Sequence, residues 1–482
     1  MLFMGLDVGT QGVRGIISDE NGKILASHSE NFKELNCSDF AGGYEQEPES
    51  WWDLVKNVMV SCRECLEEAN ISPEEVLAVS IDGTSGTVLP IGKDNQALSP
   101  ALMYNDMRAK DEAVRTHKEG AELERKIGLT FNASFALPKI LWMKEQRPKL
   151  HEKTAKYIHQ ADYIVGKLSG IYDVTDYSNA LKTGYDLIEE QWPAFLQALD
   201  IGEEILPKVV APGQKIGTLL PKIGQELGFS EKMIVTAGAT DGYASALAAG
   251  AVKVGDWASI IGTTMVLKGV TKDLLLASNG SSYSHKLPSG AWMLGGAANI
   301  GGRCLNEAFN REQFKEMDKS AKELMPTGVI SYPLTGTGER FPFVDAKAKA
   351  FFVGDISNPK VHYVALMEGV AYAERFAFEQ MEEMGAQVGD VIYTAGGACK
   401  SKDWVKIRAS VLKRELRIPK VVDAAMGATL LAASNTYYSS LEEASEKMIS
   451  FENVVQPDAE LMPKYEELYQ KAKREFIKRF QT

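Results

Sequence analysis

The feature that most constrains this chain is residues 4–14, which read M-G-L-D-V-G-T-Q-G-V-R. They predict an apolar strand interrupted by one carboxylate, Asp7, then a turn of small residues and a second strand. Gly9 and Gly12 allow backbone geometries that bulkier residues cannot adopt, so the amides near Thr10 can turn toward an anion. A carboxylate beside a phosphate repels it unless a cation intervenes, and Asp7 therefore suggests Mg²⁺ held through water.

An ordinary hairpin turn is the alternative for these residues, so the continuation of the chain is important. Residues 15–19 alternate as a strand, Asn21-Gly22 is typical of a two-residue hairpin, and residues 23–30 continue as another strand. This antiparallel meander differs from P-loop and dinucleotide folds, in which a helix follows the turn. Neither G-x-x-x-x-G-K-[ST] nor G-x-G-x-x-G occurs in the chain.

Composition excludes several classes of function. The chain has 482 residues, 45% hydrophobic and 24% charged, which suits a globular protein of two or three domains. Its 65 acidic and 53 basic residues give a net charge of −12, and there is no basic tract, so nucleic acid is not an expected partner. The sequence shows no signal-peptide pattern and no run near the ~20 apolar residues of a membrane span, which predicts a cytoplasmic protein without membrane contact.

The cysteines and histidines do not indicate a metal centre. Five cysteines do not make a disulfide framework, which fits a reducing compartment. Cys62 and Cys65 form a C-x-x-C, but they fall in an amphipathic stretch and no second pair completes four zinc ligands, so we interpret them as structural. The six histidines lack any ligand spacing.

Two polar segments are candidate ligand contacts. Residues 82–87, D-G-T-S-G-T, follow a short buried strand, and such turns commonly line sites in α/β folds. Asp82 or Ser85 could therefore contact a polyol, with an ordinary turn as the alternative. Residues 176–186, D-Y-S-N-A-L-K-T-G-Y-D, resemble a loop over a polar ligand or, alternatively, a solvated loop.

The next strong signal is at residues 233–250, where an apolar strand leads through Thr240-Asp241-Gly242 into an Ala-rich helix. Asp241 could cap this helix, or it could face a cleft as a general base. Residues 257–269 then repeat the opening pattern, with Gly262-Thr263-Thr264 between two strands. The repeat resembles an internal duplication in which each half offers a G-T turn to an anion.

Later glycine turns suggest a nucleotide site. Residues 295–302 follow a strand and open a helix, and Gly302 is the last glycine of that run. Residues 391–401 predict a strand that enters the Gly396-Gly397 turn ahead of another helix. Such a turn lets the backbone approach a flat ligand or a phosphate.

Taken together, these motifs resemble the FGGY carbohydrate kinases. The matching segments are D-V-G-T-Q-G at the start, A-T-D-G at mid-chain, I-G-T-T after it and T-A-G-G-A-C-K-S late, and their order and spacing match over essentially the whole chain. Residues 134–146 are also similar to the first signature of that family, although Ala136 replaces the usual Pro, Ser or Thr.

The resemblance implies an α/β fold of two ribonuclease-H-like, actin-like ATPase domains, with ATP and sugar in the cleft between them. We expect an N-terminal domain at residues 1–232 for sugar and phosphate binding. The C-terminal domain, residues 233–482, would bind ATP and supply the catalytic base. Asp241 matches that base and contacts the sugar, and Asp7 matches the residue that supports Mg²⁺ and the sugar. We assign nucleotide binding to Gly9, Thr10, Gly262, Thr263, Gly302, Gly396, Gly397 and Ser401.

The resemblance further implies ATP-dependent phosphorylation of the terminal hydroxyl of a ketopentose. Xylulokinases usually carry Met-His-Gly where this chain has I-D-G-T-S-G-T, which looks like the ribulokinases of the cyanobacterial and plant type. By that likeness Ser85 contacts the sugar and D-ribulose is preferred. Residues 43–52 and the long C-terminal helix look more like xylulokinases, so D-xylulose is the alternative.

In the mechanism that we expect, Asp241 accepts the proton of the sugar hydroxyl that attacks the γ-phosphate, while Mg²⁺ near Asp7 and both G-T turns hold the phosphates. An alternative of a different class is an actin- or chaperone-like ATPase scaffold, although no separate peptide-binding domain follows. A catalytically silent sugar sensor is a third, which the intact Asp7 and Asp241 disfavour. The expected partners are the sugar and ATP. The sequence does not determine the oligomeric state and is compatible with a homodimer.

Overall fold

The computed structural model describes residues 1–277 and 280–480, which form two compact units. Unit 1 consists of Met1–Ala248, His285–Ala291 and Val421–Ile449. Unit 2 consists of Ala249–Ser284, Trp292–Lys420 and the described residues from Ser450 onward. In the part of the chain that the structure describes, no helix is both long enough and apolar enough to cross a bilayer.

The strands are numbered along the whole chain. They are β1 (Leu2–Val8), β2 (Gly12–Asp19), β3 (Ile24–Asn31), β4 (Glu45–Gln46), β5 (Val76–Gly83), β6 (Val88–Ile91), β7 (Ala101–Leu102), β8 (Lys156–His159), β9 (Val174–Asp176), β10 (Lys208–Val210), β11 (Lys215–Thr218), β12 (Ile234–Thr236), β13 (Ala239–Thr240), β14 (Trp257–Ile261), β15 (Met265–Thr271), β16 (Ser282–Lys286), β17 (Trp292–Ala297), β18 (Ile330–Tyr332), β19 (Phe351–Val353), β20 (Val391–Ala395), β21 (Glu415–Pro419) and β22 (Phe451–Val455).

The helices are numbered in the same way. They are α1 (Pro48–Glu68), α2 (Lys110–Glu119), α3 (Ala121–Ile127), α4 (Ala136–Gln146), α5 (Pro148–His151), α6 (Gln160–Ser169), α7 (Tyr177–Ala180), α8 (Phe195–Ala198), α9 (Pro221–Leu227), α10 (Asp241–Ala249), α11 (Arg303–Ala308), α12 (Arg311–Leu324), α13 (Pro359–Glu383), α14 (Lys402–Leu412), α15 (Ala424–Ala433), α16 (Leu441–Met448) and α17 (Met462–Phe480).

The main sheet of unit 1 has the strand order β11-β12-β5-β1-β2-β3, with β13 also paired to β5. Strand β1 is antiparallel to β2 and parallel to β5, and helices cover both of its faces. Gly5 faces α15, where an added Cβ would lie 1.9 Å from the carbonyl oxygen of Ala425. The next position along β1 points to the opposite face, where Gly15 of β2 lies against Val58 of α1. Strand β1 is therefore the buried centre of the unit.

The cysteine pair lies within the α1 packing, as the structural interpretation predicts. Cys62 is fully buried against β2, with its thiol 3.8 Å from the carbonyl oxygen of Gly15, and burial raises its pKa to about 12. Cys65 is half-buried on the same helix. Both thiols are free.

The sheet of unit 2 contains, in order, β17-β15-β14-β20-β21-β22. Strand β14 is antiparallel to β15 and parallel to β20, and β21 is antiparallel to β22. The long helix α13 and the C-terminal helix α17 share its core, where Tyr465, Tyr469 and Phe476 recur at helical spacing and are fully buried. The charge-rich C-terminal segment is thus a helix that packs onto its own unit.

The two sheets share one topology. In each, an antiparallel pair joined by a G-T turn, β1-β2 or β14-β15, lies beside a parallel neighbour, β5 or β20. A further parallel strand and an antiparallel edge strand follow, β12 and β11 in unit 1 and β21 and β22 in unit 2. This correspondence is what the repeated strand-turn-strand pattern at residues 257–269 predicts.

The compact units do not follow the predicted boundary at residue 232. Strand β12 pairs with β5 in parallel, with Val235 opposite Val79, and β13 continues that pairing with Ala239 opposite Asp82. Helix α10 consequently begins in unit 1, and α15 returns from the C-terminal part of the chain to cover β1. The assignment of sugar and ATP binding to the two predicted segments stays a prediction.

Candidate active site

Four carboxylates of unit 1 meet at the ends of four elements. Asp7 and Asp82 are paired in register on β1 and β5, so their side chains lie on the same face of the sheet. Asp241 is the first residue of α10, and Asp423 is the N-cap of α15. Asp241 and Asp423 each contribute to the electrostatic environment of both strand carboxylates. The structure therefore brings together Asp7, Asp82 and Asp241, three residues that the sequence analysis selected.

Burial and neighbouring charges raise the pKa values of both strand carboxyls. Burial, together with the negative charges of Asp423 and Asp241, raises the pKa of Asp7 to about 6. Asp82 is fully buried, and burial together with the charge of Asp7 raises its pKa well above the ordinary range. Of the two strand carboxyls, Asp82 is the more deeply buried, and the charge of Asp7 beside it further favours its neutral form.

The positive charge of Arg14, on β2 opposite Asp7, lowers the pKa of Asp7 and so opposes the effect of burial. Its guanidinium forms an ion pair with Asp423, whose Oδ1 also accepts a hydrogen bond from the Ala425 amide at 3.0 Å. The sequence analysis selected neither residue. Asp423 directly precedes a helix of small residues, and this pattern in the sequence could have predicted an N-cap. Its proximity to Asp7 could not be predicted, because it depends on how α15 packs on Gly5.

The turn that follows Asp7 is held by hydrogen bonds rather than by unusual backbone angles. Gly9 and Gly12 lie outside the left-handed region, so the expectation that they supply special geometries is wrong. Gly12 is instead needed for close packing, because a Cβ there would lie 2.1 Å from the carbonyl oxygen of Glu30. Gln46 donates to the carbonyl oxygen of Thr10 at 2.9 Å and so fixes the middle of the turn.

The start of α10 is supported by the polar segment at residues 176–186. The Thr240 amide donates to Ser178 Oγ at 2.8 Å, and Ser178 Oγ donates to Asp176 Oδ1 at 2.5 Å. Asp176 and Ser178 are buried, so the alternative of a solvated loop is wrong for this part of the segment. Asp241 itself accepts a hydrogen bond from the Gly242 amide at 2.6 Å, which orients its carboxylate at the helix start.

Buried polar side chains form hydrogen bonds with the turn at residues 82–87 and hold it in place. Thr84 donates to Gln160 Oε1 at 2.7 Å, and the Thr87 carbonyl oxygen is hydrogen-bonded to His159 Nδ1 at 2.9 Å. Lys139 Nζ donates to the carbonyl oxygens of Gly86 at 3.0 Å and Ser134 at 2.9 Å. Ser85 remains half-buried at the surface of this turn, whereas its neighbours Thr84 and Gly86 are buried. The side chain of Ser85 is therefore accessible for the predicted contact with a sugar.

Unit 2 contains a cavity of about 390 Å³ that gathers the predicted nucleotide residues of that half of the chain. Its wall includes five of the residues that the sequence analysis assigned to the nucleotide: Gly262, Thr263, Gly302, Gly397 and Ser401. Gly396, the sixth, adjoins them on the same turn. It has a φ of +94° and packs so tightly that a Cβ would lie 2.5 Å from the carbonyl oxygen of Ile261. We refer to this cavity below as the unit 2 cavity.

The G-T turn of unit 2 is bonded directly to the start of α11. The Gly302 amide donates to the Gly262 carbonyl oxygen at 2.9 Å, and the Arg303 amide donates to the Thr263 carbonyl oxygen at 3.2 Å. Apart from the neighbours of Gly262 in the chain, no described residue has a heavy atom within 4 Å of where a Gly262 Cβ would be, so the turn is open there. The predicted glycine run at residues 295–302 and the predicted turn at 262–264 thus belong to one wall.

A buried ion pair supports the part of the cavity wall that the Gly396-Gly397 turn forms. Arg408 and Glu374 are fully buried and are joined by hydrogen bonds of 2.7 and 2.8 Å. Arg408 also donates to Ser259 Oγ at 3.1 Å, and Thr394 at the end of β20 donates to the Ser259 carbonyl oxygen at 2.9 Å. This network joins β14 and β20 directly beneath the Gly396-Gly397 turn.

Comparison with known proteins identifies the family of this chain. The models of the N-terminal and C-terminal domains of the FGGY family of carbohydrate kinases match residues 2–248 and 257–436. The xylulose kinase of Bacillus subtilis is 28% identical over 482 residues, covering 97% of this chain and 95% of that protein. The gluconokinase of the same organism is 25% identical over 452 residues, covering 89% and 86%.

A solved structure extends the likeness to the whole fold. The crystal structure of xylulose kinase from Rhodospirillum rubrum matches with a TM-score of 0.86 at 23% identity and covers 99% of each chain. This confirms the predicted α/β fold of two actin-like domains. Because the family models together match most of the sequence, this chain belongs to the FGGY family of carbohydrate kinases and is a phosphotransferase.

Proposed function

We propose that this protein transfers the γ-phosphate of ATP to the terminal hydroxyl of a ketopentose, with D-xylulose as the preferred acceptor. The observation that carries the proposal is the unit 1 cluster, where the charge of Asp241 acts on Asp7, the carboxyl that precedes the Gly9-Thr10 turn. A carboxylate base beside an anion-binding turn is the arrangement that phosphoryl transfer to a hydroxyl needs, because such catalysis relies mainly on positioning and charge.

In this proposal Asp241 is the general base. Its carboxylate accepts the proton of the sugar hydroxyl as the oxygen attacks the γ-phosphate, and the leaving group is ADP. The hydrogen bonds from Thr240 to Ser178 and from Ser178 to Asp176 hold the start of α10, and with it the carboxylate, in a fixed position. Ser85 contacts the sugar. Gly9 and Thr10 contact the phosphates from unit 1.

The residues present fit a Mg²⁺ ion that is bound through water. Oδ1 of Asp7 is buried and accepts no hydrogen bond from a described residue, so it can accept one from a metal-bound water molecule. Among the described residues, no group of three or more His, Cys, Asp or Glu side chains could hold a metal ion directly. Bound near Asp7, Mg²⁺ would neutralise charge on the transferred phosphate. The surrounding carboxylates, Asp241 and Asp423, would favour that cation.

In unit 2, we propose that the cavity binds the adenosine and the remaining phosphates of ATP. Gly262 and Thr263 at the open turn contact phosphate oxygens, with Gly302 behind them. Gly396, Gly397 and Ser401 contact the nucleoside, because a glycine turn lets the backbone approach a flat ring closely. The apolar side chains Leu305 and Trp404 in the same wall suit a base.

The choice of acceptor follows the relatives rather than the sequence motif. The preference for D-ribulose stated from the sequence is not confirmed, and D-xylulose is the better supported acceptor, because the similarity to xylulose kinases extends over nearly the whole chain. D-Ribulose is the second candidate. The observation in its favour is the turn at residues 82–87, which lacks the Met-His-Gly usual in xylulokinases.

The test is ADP release measured with ATP and Mg²⁺ over a panel of D-xylulose, D-ribulose, gluconate, glycerol and other polyols. We expect D-xylulose to give the highest kcat/KM. A higher value for D-ribulose would move the assignment to the second candidate. ATP hydrolysis that no sugar stimulates would instead support the actin- or chaperone-like ATPase scaffold and contradict the proposal.

A further inference from the structure

One carboxylate in the unit 2 cavity has no role in the proposal so far. Asp318, on α12, lines the cavity, and its Oδ1 accepts two hydrogen bonds from hydroxyl groups. Ser401 Oγ donates at 2.9 Å, and Tyr363 OH donates at 3.0 Å. Ser401 and Tyr363 are both buried and come from different elements, so they hold the Asp318 carboxylate in one orientation.

The second oxygen of Asp318 is available to a ligand. A carboxylate can accept about four hydrogen bonds, and the two hydroxyl groups account for two. Within the described residues, no donor from the protein reaches Oδ2. The side chain is half-buried in the wall of the cavity, so it presents an anionic acceptor to whatever the cavity binds. Its best complement is an N–H or O–H donor.

The position of Asp318 along α12 indicates which part of a nucleotide it meets. Phe314 lies four residues earlier on the same helix, so the two side chains share one face, and both line the cavity. The Phe314 ring lies 5.8 Å from the ring of Tyr363. Asp318 therefore belongs to the aromatic part of the wall, which suits a flat base, whereas the open G-T turn at Gly262 suits phosphates.

We propose that Asp318 selects adenine among the nucleobases by accepting a hydrogen bond from the 6-amino group. The inference rests on the proposed function, since it requires the adenosine of ATP in this cavity. Inosine and guanosine nucleotides carry an oxygen at position 6, and the carboxylate repels that acceptor. An asparagine at 318 can turn its NH₂ group toward the oxygen, so Asp318→Asn removes the discrimination.

The experiment is isothermal titration calorimetry of ADP, IDP and 2′-deoxy-ADP with the full-length protein. Because a hydrogen bond to a charged group contributes about 1.5–3 kcal/mol, the wild type is expected to bind ADP about 10- to 100-fold more tightly than IDP. Asp318→Asn is expected to reduce this ratio to about 3 or less. Glu316→Gln, which removes an exposed charge from the same helix, is the matched control and keeps the wild-type ratio. The KM for the ketose stays unchanged in both variants.

The other outcomes overturn the inference in distinguishable ways. Equal binding of ADP and IDP by the wild type contradicts base selection and leaves the kinase proposal intact. If Asp318→Asn weakens the binding of ADP and the binding of IDP by the same factor, the carboxylate has only a structural role. If the variant loses only its discrimination against 2′-deoxy-ADP, the carboxylate contacts the ribose. Failure of the wild type to bind ADP at all contradicts the proposed function as well.

Discussion

Replacing Lys139 by methionine should change how the stability of this protein depends on pH. Lys139 is fully buried on α4, and burial, with smaller contributions from the charges of Lys182 and Arg108, lowers its pKa to about 7 from an ordinary value of 10.5. Between these two values the unfolded chain binds a proton that the folded chain does not bind. The free energy of unfolding therefore rises with pH across this window, and it falls as the pH drops from 10.5 toward 7.

The magnitude follows from the same values. At pH 7 the folded lysine is about half protonated, and at pH 9 it is almost neutral, while the unfolded lysine stays charged. Integrating the difference in bound protons gives a gain of about 2 kcal/mol in the free energy of unfolding between pH 7 and pH 9. Methionine has a similar apolar stem and no ionisable group, so the gain should be absent from Lys139→Met.

The assay is urea unfolding at pH 7 and pH 9, followed by circular dichroism, with Lys149→Met as a control for losing an exposed lysine. We expect the wild type and the control to gain about 2 kcal/mol relative to Lys139→Met over this range. The reasoning is refuted if all three proteins respond to pH equally. That result would mean that Lys139 keeps its charge when it is buried beside Gly86.

Three further changes test other parts of the structure. Arg408→Leu leaves Glu374 buried without its partner and should lower the free energy of unfolding by about 3–5 kcal/mol, whereas adding Glu374→Leu should recover part of the loss in the same urea assay. Gly5→Ala places a Cβ 1.9 Å from the Ala425 carbonyl oxygen, so it should lower the free energy of unfolding by about 1–3 kcal/mol. It should also lower kcat, because the clash displaces Asp423 at the start of α15. An unchanged free energy of unfolding would contradict the packing of α15 on Gly5. Glu368 is fully buried with a pKa raised to about 7, mainly by burial, so its contribution to stability should fall as the pH rises from 4.5 toward 7, and Glu368→Gln should remove that dependence in thermal unfolding.

The sequence predicts those features that depend on local pattern. The strand-turn-strand motif at residues 4–14 and its repeat at 257–269 correspond to β1-β2 and β14-β15, because alternating apolar residues and small turns act within a few residues. Asp241 is found at the start of α10 for the same reason. The glycine turns of unit 2 line one cavity because each follows a strand of the same sheet.

Features that depend on distant packing could not be predicted in this way. Arg14 and Asp423 are separated by most of the chain, and they meet only because α15 packs on Gly5. From the sequence, Gly12 suggests a turn that needs backbone freedom. In the structure, the carbonyl oxygen of Glu30 lies so close to Gly12 that there is no room for a side chain. Asp318 lies in a polar helix without any motif, and only Ser401 and Tyr363 reveal its position.

The most direct test of the central proposal is ³¹P NMR of the products formed from D-xylulose and MgATP by the wild type and by Asp241→Asn. We predict that the wild type forms D-xylulose 5-phosphate and ADP in equal amounts. Asp241→Asn should form the same products about 10²- to 10⁴-fold more slowly, because it lacks the general base, while the KM for D-xylulose changes little. Inorganic phosphate in place of a sugar phosphate, or an Asp241→Asn enzyme with wild-type turnover, would contradict the proposal.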